Sequence, residues 1–191
     1  MKNSIRKMKA EEFKAIFSHI KKDFMQGEYA PYDVLYQQLH KGVQKGLIFC
    51  EGEHDAAYSI CAGGHANGYV LISLLAVFEE YRGRGLGTAF LNELCKVYSD
   101  KHGIIVEVEK PENSLTEVER IIRVKRIAFY QKAGFCLIPN INYSIWGVSM
   151  HLMALSHSDS IQSTNERIGS IMYDIYLDLM GKRYIHEMQF K

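Results

Sequence analysis

The sequence lacks any apolar run long enough to cross a bilayer, and its N-terminus has no recognisable signal peptide. It also lacks an excess of charge, since 23 Lys and Arg residues against 22 Asp and Glu residues leave a net charge of +1. The four cysteines (Cys50, Cys61, Cys95 and Cys136) do not have the paired spacing of a zinc site or a disulfide framework. These absences predict a cytoplasmic protein with reduced core cysteines, and they give no argument for binding to membranes or nucleic acids.

Repeats, low-complexity tracts and interdomain linkers are also missing from the 191 residues, and the eight histidines form no ligand-spaced cluster. We therefore expect no metal site. A chain of this length with 47% hydrophobic residues is long enough for one domain with a full core, which buries roughly 70% of the surface of the unfolded chain.

One stretch, residues 69–88, carries the strongest pattern. Residues 69–77 are short, apolar and rich in branched side chains, which is typical of a strand buried on both faces. From residue 86 the apolar residues take a helical spacing, which predicts a helix to about residue 100. The segment between them reads Arg82-Gly-Arg-Gly-Leu-Gly87, and we call residues 82–88 the glycine turn.

The glycine turn has the features of an anion-binding site. Glycines permit backbone angles that let successive N–H groups converge on one anion, and the N-terminus of a helix adds partial positive charge. A phosphate or pyrophosphate fits such a turn. A Rossmann turn is a rival, but it follows its strand at once, whereas residues 78–82 intervene here and Thr88 occupies the place of its third glycine. A P-loop is disfavoured because no Gly-Lys-Ser/Thr follows.

Further elements are predicted from apolar periodicity and turn residues. We expect strands at residues 4–7, 47–51, 56–62, 104–109, 136–138 and 148–154, with a turn at 63–68. We expect helices at residues 11–25, 33–43 and 116–133, the last ending at Gly134, and an amphipathic helix carrying an apolar stripe from Ile161 to Met180.

Two motifs resemble those of the GNAT N-acetyltransferase superfamily. The first is Arg82-x-x-Gly85-x-Gly87, and the second is Tyr130-x-x-x-Gly134-Phe135 at the end of a helix downstream. The resemblance covers about residues 4–155. The chain departs from the family where members commonly place Asn and Ala before the tyrosine, because Arg123 and Arg126 stand there.

The resemblance implies a fold and a cosubstrate. The expected fold is α/β (α+β): a single GNAT-like domain over residues 1–155, with a mixed, mostly antiparallel sheet around a central parallel strand-helix-strand unit. Residues 156–191 form a helical extension packed on this domain or on a partner subunit. Acetyl-CoA is the expected cosubstrate, its pantetheine arm beside Leu75 and Val77. Its pyrophosphate is expected on the glycine turn, comprising Arg82, Gly83, Arg84, Gly85, Leu86, Gly87 and Thr88.

The same resemblance implies catalytic roles. The N–H of Val77 is expected to polarise the thioester carbonyl, and Tyr130 to protonate the leaving thiolate, although Tyr130 also suits a core aromatic position. Glu107 is the candidate base for the amine, with Glu109 and Glu28 as alternatives. The basic residues of the helix at 116–133 read as a solvated face, although they also suit CoA phosphates: Arg120, Arg123, Lys125 and Arg126.

The predicted activity is direct acetyl transfer from acetyl-CoA to an amine in a ternary complex. The alternatives are a non-catalytic acyl-CoA sensor and, less favoured, a nucleotide-dependent oxidoreductase. The resemblance implies that acceptor choice depends on the first helices and on the loops around residues 26–31 and 140–144, which we call the acceptor loops. This region has few acids and several aromatic residues (Tyr29, Tyr32, Tyr143 and Trp146), which favours a small amine or an amino-acid-like acceptor over a polycation. A homodimer is common in the family.

Overall fold

The computed structural model describes residues 3–64 and 67–190, which form nine strands and five α-helices. The strands are β1 (Asn3–Lys7), β2 (Gln44–Glu51), β3 (His54–Gly63), β4 (Tyr69–Val77), β5 (Gly103–Glu109), β6 (Cys136–Leu137), β7 (Tyr143–Ile145), β8 (Val148–Ser156) and β9 (Met188–Phe190). The helices are α1 (Phe13–Asp23), α2 (Tyr32–His40), α3 (Leu86–Val97), α4 (Glu117–Lys132) and α5 (Ile161–Tyr184).

The strands join in the order β1-β2-β3-β4-β5-β8-β7-β9, and β6 pairs with β8. The sheet is mostly antiparallel, and β4 with β5 is its parallel pair. The predicted fold class, including the C-terminal helix, is confirmed. Within the described residues, no helix has the length and apolarity needed to span a membrane.

The described residues fall into two compact units. The first comprises the residues up to Ala62 and Ile72–Val97, and the second comprises Gly63–Leu71 and the residues from Tyr98 onward. Strand β4 contributes its first three residues to the second unit and the remainder to the first.

The core of the first unit forms where α1 and α2 pack on the strands. Helix α1 buries Phe13, Ile16 and Ile20, which lie on one face because they are spaced three and four residues apart. They join Leu35 of α2 and Ile48 of β2 in one cluster. Each such side chain contributes roughly 1.5–3 kcal/mol by leaving water, so this face fixes α1 against the sheet.

The second unit is built on β5, β8 and α5. Strands β5 and β8 pair along their full length, from Gly103 opposite Ser156 to Glu109 opposite Met150. Helix α5 packs closely enough that a Cβ on Gly63 would lie 3.0 Å from Cγ1 of Ile175. Its buried face follows helical spacing and includes Thr164, Ile168, Ile171, Met172, Ile175 and Tyr176.

Three sequence predictions need correction. The expected ends of α2 near residue 43 and of α3 near residue 100 are too late, because these helices stop at His40 and Val97. Strands β7 and β9 were not predicted, since three residues are too few to show an alternating pattern. Cys136 is exposed rather than in the core, whereas Cys50 and Cys61 are buried. The predicted turn at 63–68 includes residues 65 and 66, which lie outside the described residues.

Candidate active site

The glycine turn leads into α3 with two left-handed residues. Gly83 and Gly85 have φ angles of 74° and 75°, and a Cβ added to either would meet nothing within 4 Å. The carbonyl of Gly85 accepts the first helical hydrogen bond from the N–H of Ala89, at 3.1 Å. The N–H groups of the three residues before Ala89, Leu86, Gly87 and Thr88, therefore lie in the first turn of α3, where N–H groups have no acceptor inside the helix. The turn has donors and open space for an anion.

Arg82 ties the glycine turn to the end of β4 and to α1. Its guanidinium donates hydrogen bonds to the carboxylate of Asp23 and, at 3.0 Å, to the carbonyl of Val77. The same carboxylate accepts a hydrogen bond of 2.8 Å from the hydroxyl of Tyr58. Arg82 and Val77, both candidate cofactor residues, are thus brought together by this bond.

The side chain of Arg84 also has interaction partners within the first unit. Its guanidinium donates to both carboxylate oxygens of Glu51, at 2.7 and 2.9 Å, and lies 5.6 Å from the ring centre of Tyr81. Both arginines of the turn are thus matched by a carboxylate. The attraction that this turn offers to an anion therefore comes mainly from backbone N–H groups and the helix dipole.

Two hydrogen bonds connect the end of β4 to the neighbouring strand β3. The hydroxyl of Ser59 donates to the carbonyl of Leu74 at 2.8 Å, and the N–H of Phe78 donates to the carbonyl of Ala56 at 2.9 Å. The candidate cofactor residues Leu75 and Val77 lie between these two bonds and are partly exposed. Their backbone is therefore fixed in position by neighbours on either side.

Tyr130 lies at the C-terminal end of α4, in the second unit, and is 8% exposed. The N–H of Phe135 donates to the carbonyl of Tyr130, and the N–H of Gly134 donates to that of Gln131. Gly134 has a φ of 92°, and the rings of Tyr130 and Phe135 are 5.5 Å apart. This pattern of bonds and contacts is a Schellman cap. The motif therefore fixes the backbone of Tyr130 as well as ending the helix.

Glu107 of β5 is partly buried and held by two tyrosines. Tyr143 of β7 donates to Oε1 at 2.5 Å, and Tyr176 of α5 lies 2.9 Å from Oε1 and 2.8 Å from Oε2. Burial raises the pKa of Glu107 above its ordinary value, and the two hydroxyls oppose that rise. Burial and the neighbouring carboxylate also raise the pKa of both tyrosines, so their hydroxyls remain protonated donors at neutral pH.

Tyr176 is the residue that sequence reasoning missed. It follows Ile168 and Met172 at intervals of four, so it lies on the buried stripe of α5. A tyrosine on an otherwise apolar face usually has a partner for its hydroxyl, and this was the available signal.

The other carboxylate of β5 has a different environment. Glu109 forms ion pairs with Arg123 at 2.9 Å and with Arg126 at 2.8 Å. The prediction of a solvated face is therefore wrong for Arg123, whose side chain is 13% exposed, whereas that of Arg126 is 37% exposed. Arg120 pairs with Glu117 in solvent. The departure of the second motif from the family pattern has a structural explanation, because Arg123 and Arg126 neutralise Glu109.

Glu28 and the cysteines have their own local environments. Glu28 of the first unit accepts the N–H of Met25 at 2.7 Å, as part of a turn. Across the described residues, no group of His, Cys, Asp and Glu is arranged to hold a metal ion. Burial raises the pKa of Cys95 to about 11 and also raises that of Cys50, so neither thiol is activated.

The structure is thus an α/β protein with a mixed sheet and a glycine turn at the N-terminus of a helix. Residues 44–136 match the family model of the acetyltransferase (GNAT) domain. This stretch is just under half of the chain, and it supports an acyltransferase of the GNAT type. Enzymes of this family use acetyl-CoA. Comparison with curated proteins gave no match.

Solved structures share the fold at low sequence identity. A GNAT-family acetyltransferase from Bacteroides thetaiotaomicron is 20% identical, with a TM-score of 0.76 over 93% of this chain and 98% of that chain. Spermidine N-acetyltransferase from Vibrio cholerae, in complex with CoA and spermine, is 12% identical, with a TM-score of 0.63 over 82% and 96%. The ribosomal-protein-S18-alanine N-acetyltransferase from Escherichia coli is 18% identical, with a TM-score of 0.57 over 83% and 96%.

Proposed function

We propose that this protein transfers an acetyl group from acetyl-CoA to the amine of a small molecule or an amino-acid-like acceptor. The observation that carries the proposal is the glycine turn, where Gly83 and Gly85 are left-handed and open onto free space at the start of α3. A side chain at either position would enter that space. The turn therefore suits close approach of a pyrophosphate to the backbone.

The glycine turn and the end of β4 hold the cosubstrate in this proposal. Backbone N–H groups from Gly83 to Thr88 bind the pyrophosphate, and the backbone near Leu75 and Val77 pairs with the amides of the pantetheine arm. The N–H of Val77 polarises the thioester carbonyl and stabilises the oxyanion that forms on attack. Arg82 supports this arrangement through its bond to the carbonyl of Val77, which helps to fix the strand end.

Glu107 and Tyr130 move the protons. Glu107 takes one proton from the ammonium form of the acceptor, and the neutral nitrogen then forms a bond to the acetyl carbon. As the tetrahedral intermediate collapses, the carbon–sulfur bond breaks and the thiolate takes a proton from the hydroxyl of Tyr130. The second proton of the attacking nitrogen leaves to water, solvent returns a proton to Tyr130, and Glu107 releases to solvent the proton that it took. The products are an N-acetylated amine and free CoA.

Transfer is direct in this proposal, without an acetyl-cysteine intermediate. A thiol attacks as thiolate, and burial keeps Cys50 and Cys95 protonated near neutral pH. Cys61 is buried, and Cys136 lies on the exposed edge strand β6. A cytoplasmic location and a homodimer stay predictions from the sequence.

The acceptor is proposed at the level of its chemical class. Most aromatics of the predicted acceptor loops serve packing: Tyr32 stacks on Phe13 at 5.2 Å, and Tyr29 lies edge-on to Phe17 at 5.7 Å. Trp146 is 49% exposed at the β7–β8 turn. Structures with this fold include one named for spermidine and one named for the alanine of a ribosomal protein. We favour a small amine because the loops carry few acids.

A glycine substitution tests the cosubstrate site. Alanine at Gly85 would place a Cβ in the open space of the turn and strain a backbone with a φ of 75°. We expect Gly85→Ala to weaken acetyl-CoA binding, measured by calorimetry, by about tenfold or more. Gly42→Ala is the matched control, because Gly42 has a φ of 72° and equally open surroundings after α2. Equal acetyl-CoA affinity in both variants would contradict the assignment.

A further inference from the structure

We propose that Tyr143 of β7 and Tyr176 of α5 are positioning residues for Glu107, fixing the carboxylate that takes the proton of the acceptor amine. The inference rests on the proposed function, since it gives Glu107 its task. It adds to that function a role for the C-terminal helix, which lies beyond residues 44–136, where the family match falls. The tyrosines act through Glu107 and are not themselves catalytic residues.

The hydrogen bonds define one orientation of the carboxylate. Oε1 lies 2.5 Å from the hydroxyl of Tyr143 and 2.9 Å from that of Tyr176, while Oε2 lies 2.8 Å from Tyr176. A carboxylate offers about four acceptor positions. Two protons fill part of this capacity: Tyr143 donates one to Oε1, and the single proton of Tyr176 lies between Oε1 and Oε2. The remaining acceptor capacity of the carboxylate serves the proton of the amine.

Both tyrosines are held by their own elements. The ring of Tyr143 is fully buried and lies 4.9 Å from the ring of Phe190, because β7 is paired between β8 and β9. Tyr176 is 9% exposed on the buried face of α5. The start of α5 is fixed by Thr164, whose hydroxyl lies 3.1 Å from that of Tyr69. The carboxylate of Glu107 therefore accepts hydrogen bonds from two buried tyrosines that belong to separate elements.

The two carboxylates of β5 differ in the charge of their neighbours. Facing Glu107 are the neutral hydroxyls of Tyr143 and Tyr176, and its cross-strand neighbour on β8 is Leu152. Glu109 is paired with two guanidinium groups of α4, Arg123 and Arg126. The two guanidinium groups compensate the charge of Glu109 and bind both of its oxygens, whereas the neutral hydroxyls orient Glu107 without cancelling its charge.

This contrast selects Glu107 over Glu109 as the base. A base working near neutral pH needs a carboxylate that binds a proton more tightly than an exposed glutamate does. Burial raises the pKa of Glu107 in that direction. The two tyrosines oppose this rise, because they donate hydrogen bonds to the ionised form.

The test compares three conservative variants. We expect Tyr143→Phe and Tyr176→Phe each to lower kcat about tenfold and to move the ascending limb of the pH profile of kcat/KM to higher pH, because each removes a donor that favours the ionised carboxylate. The KM for acetyl-CoA should stay unchanged. Tyr173→Phe is the control, since Tyr173 lies on the same helix and is 45% exposed. Circular dichroism and thermal unfolding verify the fold of each variant.

Glu107→Gln completes the set and should remove the ascending limb. If wild type releases CoA with an amine but the limb stays in place in both tyrosine variants, the inference is overturned while the proposed function stands. If wild type releases no CoA with any amine, the proposed function fails, and with it the catalytic part of this inference. In that case carbon-13 NMR titration of Glu107 tests the hydrogen bond from Tyr176 by itself. A higher pKa of Glu107 in Tyr176→Phe than in wild type supports the hydrogen bond, and an unchanged pKa overturns it.

Discussion

At the scale of residues, the second unit shows how two carboxylates on one strand can have opposite environments. Glu107 and Glu109 are two residues apart on β5, so they project from the same face. One meets two phenol hydroxyls, and the other meets two guanidinium groups. The first arrangement orients a carboxylate for proton transfer, whereas the second stabilises a fixed negative charge.

The ion pairs of Glu109 lead to a prediction about stability. Arg123 and Glu109 are 13% and 10% exposed, so removing Arg123 leaves a nearly buried carboxylate with one partner fewer. We expect Arg123→Ala to lower the free energy of unfolding by about 3 kcal/mol, measured by urea titration.

Arg120→Ala on the same helix is the control for this prediction. Arg120 pairs with Glu117 on the solvent side of α4, where an ion pair contributes little, so the urea midpoint should barely move. Equal losses in the two variants would contradict a stabilising role for the pair of Arg123 with Glu109.

The pKa of Glu107 leads to a prediction about pH. Burial raises the pKa in the folded state, so folded protein holds this proton more tightly than the unfolded chain does. The contribution of Glu107 to stability is therefore greatest at acidic pH and falls as the pH rises through the folded-state pKa. Glu107→Gln cannot ionise. In urea titrations, the stability of this variant relative to wild type should therefore increase as the pH rises from about 4 through the folded-state pKa. A difference that stays constant with pH would contradict the raised pKa.

Residues with local signals were predictable, whereas their long-range partners were not. The glycine turn could be read because Arg82, Gly83, Arg84 and Gly85 are consecutive. Nothing local indicates that Tyr176 meets Glu107, since the two are separated by 69 positions in the sequence. Likewise, Arg123 and Arg126 looked solvated because their partner Glu109 lies on another element.

At the scale of elements, the end of α4 explains why one motif includes both a tyrosine and a glycine. Gly134 takes the left-handed conformation that ends the helix, and Phe135 then folds back onto Tyr130. The position of the candidate acid therefore depends on the cap as well as on the helix.

Substitution of Gly134 tests the contribution of the cap. A φ of 92° is unfavourable for any residue with a Cβ, and we expect Gly134→Ala to lower the free energy of unfolding by about 1–2 kcal/mol. Gly169→Ala should have the opposite sign, because Gly169 is inside α5 with no atom within 4 Å of an added Cβ. There, alanine stabilises a helix by roughly 0.5–1 kcal/mol. Thermal or urea unfolding measures both, and a neutral Gly134→Ala would contradict the role of the cap.

Long elements were predictable from periodicity, and short ones were not. Strand β4 has the predicted bounds, and α3 begins at the predicted residue, because an apolar run and a change of period mark them. The stripe of α5 likewise showed a helix, although its contacts with β8 and Gly63 required the structure. Strand β7 forms by pairing with β8, and β9 forms by pairing with β7. Such pairing leaves no pattern in the local sequence.

At the scale of the whole molecule, the fold is shared with acetyltransferases named for different acceptors. The structures from Vibrio cholerae and Escherichia coli are named for a polyamine and for a protein alanine, at 12% and 18% identity. A fold positions cosubstrate and catalytic groups, but acceptor choice depends on the side chains that line each site. The acceptor of this chain therefore has to be found by assay.

The most direct test of acetyl transfer is release of free CoA thiol from acetyl-CoA across a panel of amines and amino acids. Wild type, Tyr130→Phe and the control Tyr173→Phe are compared, and acetyl-CoA affinity is measured for each. We predict release that depends on the amine and falls about tenfold or more in Tyr130→Phe, with acetyl-CoA affinity and the control unchanged. Acetyl-CoA binding without turnover on any amine would contradict catalysis and favour a sensor. Absence of acetyl-CoA binding would contradict the cosubstrate site itself.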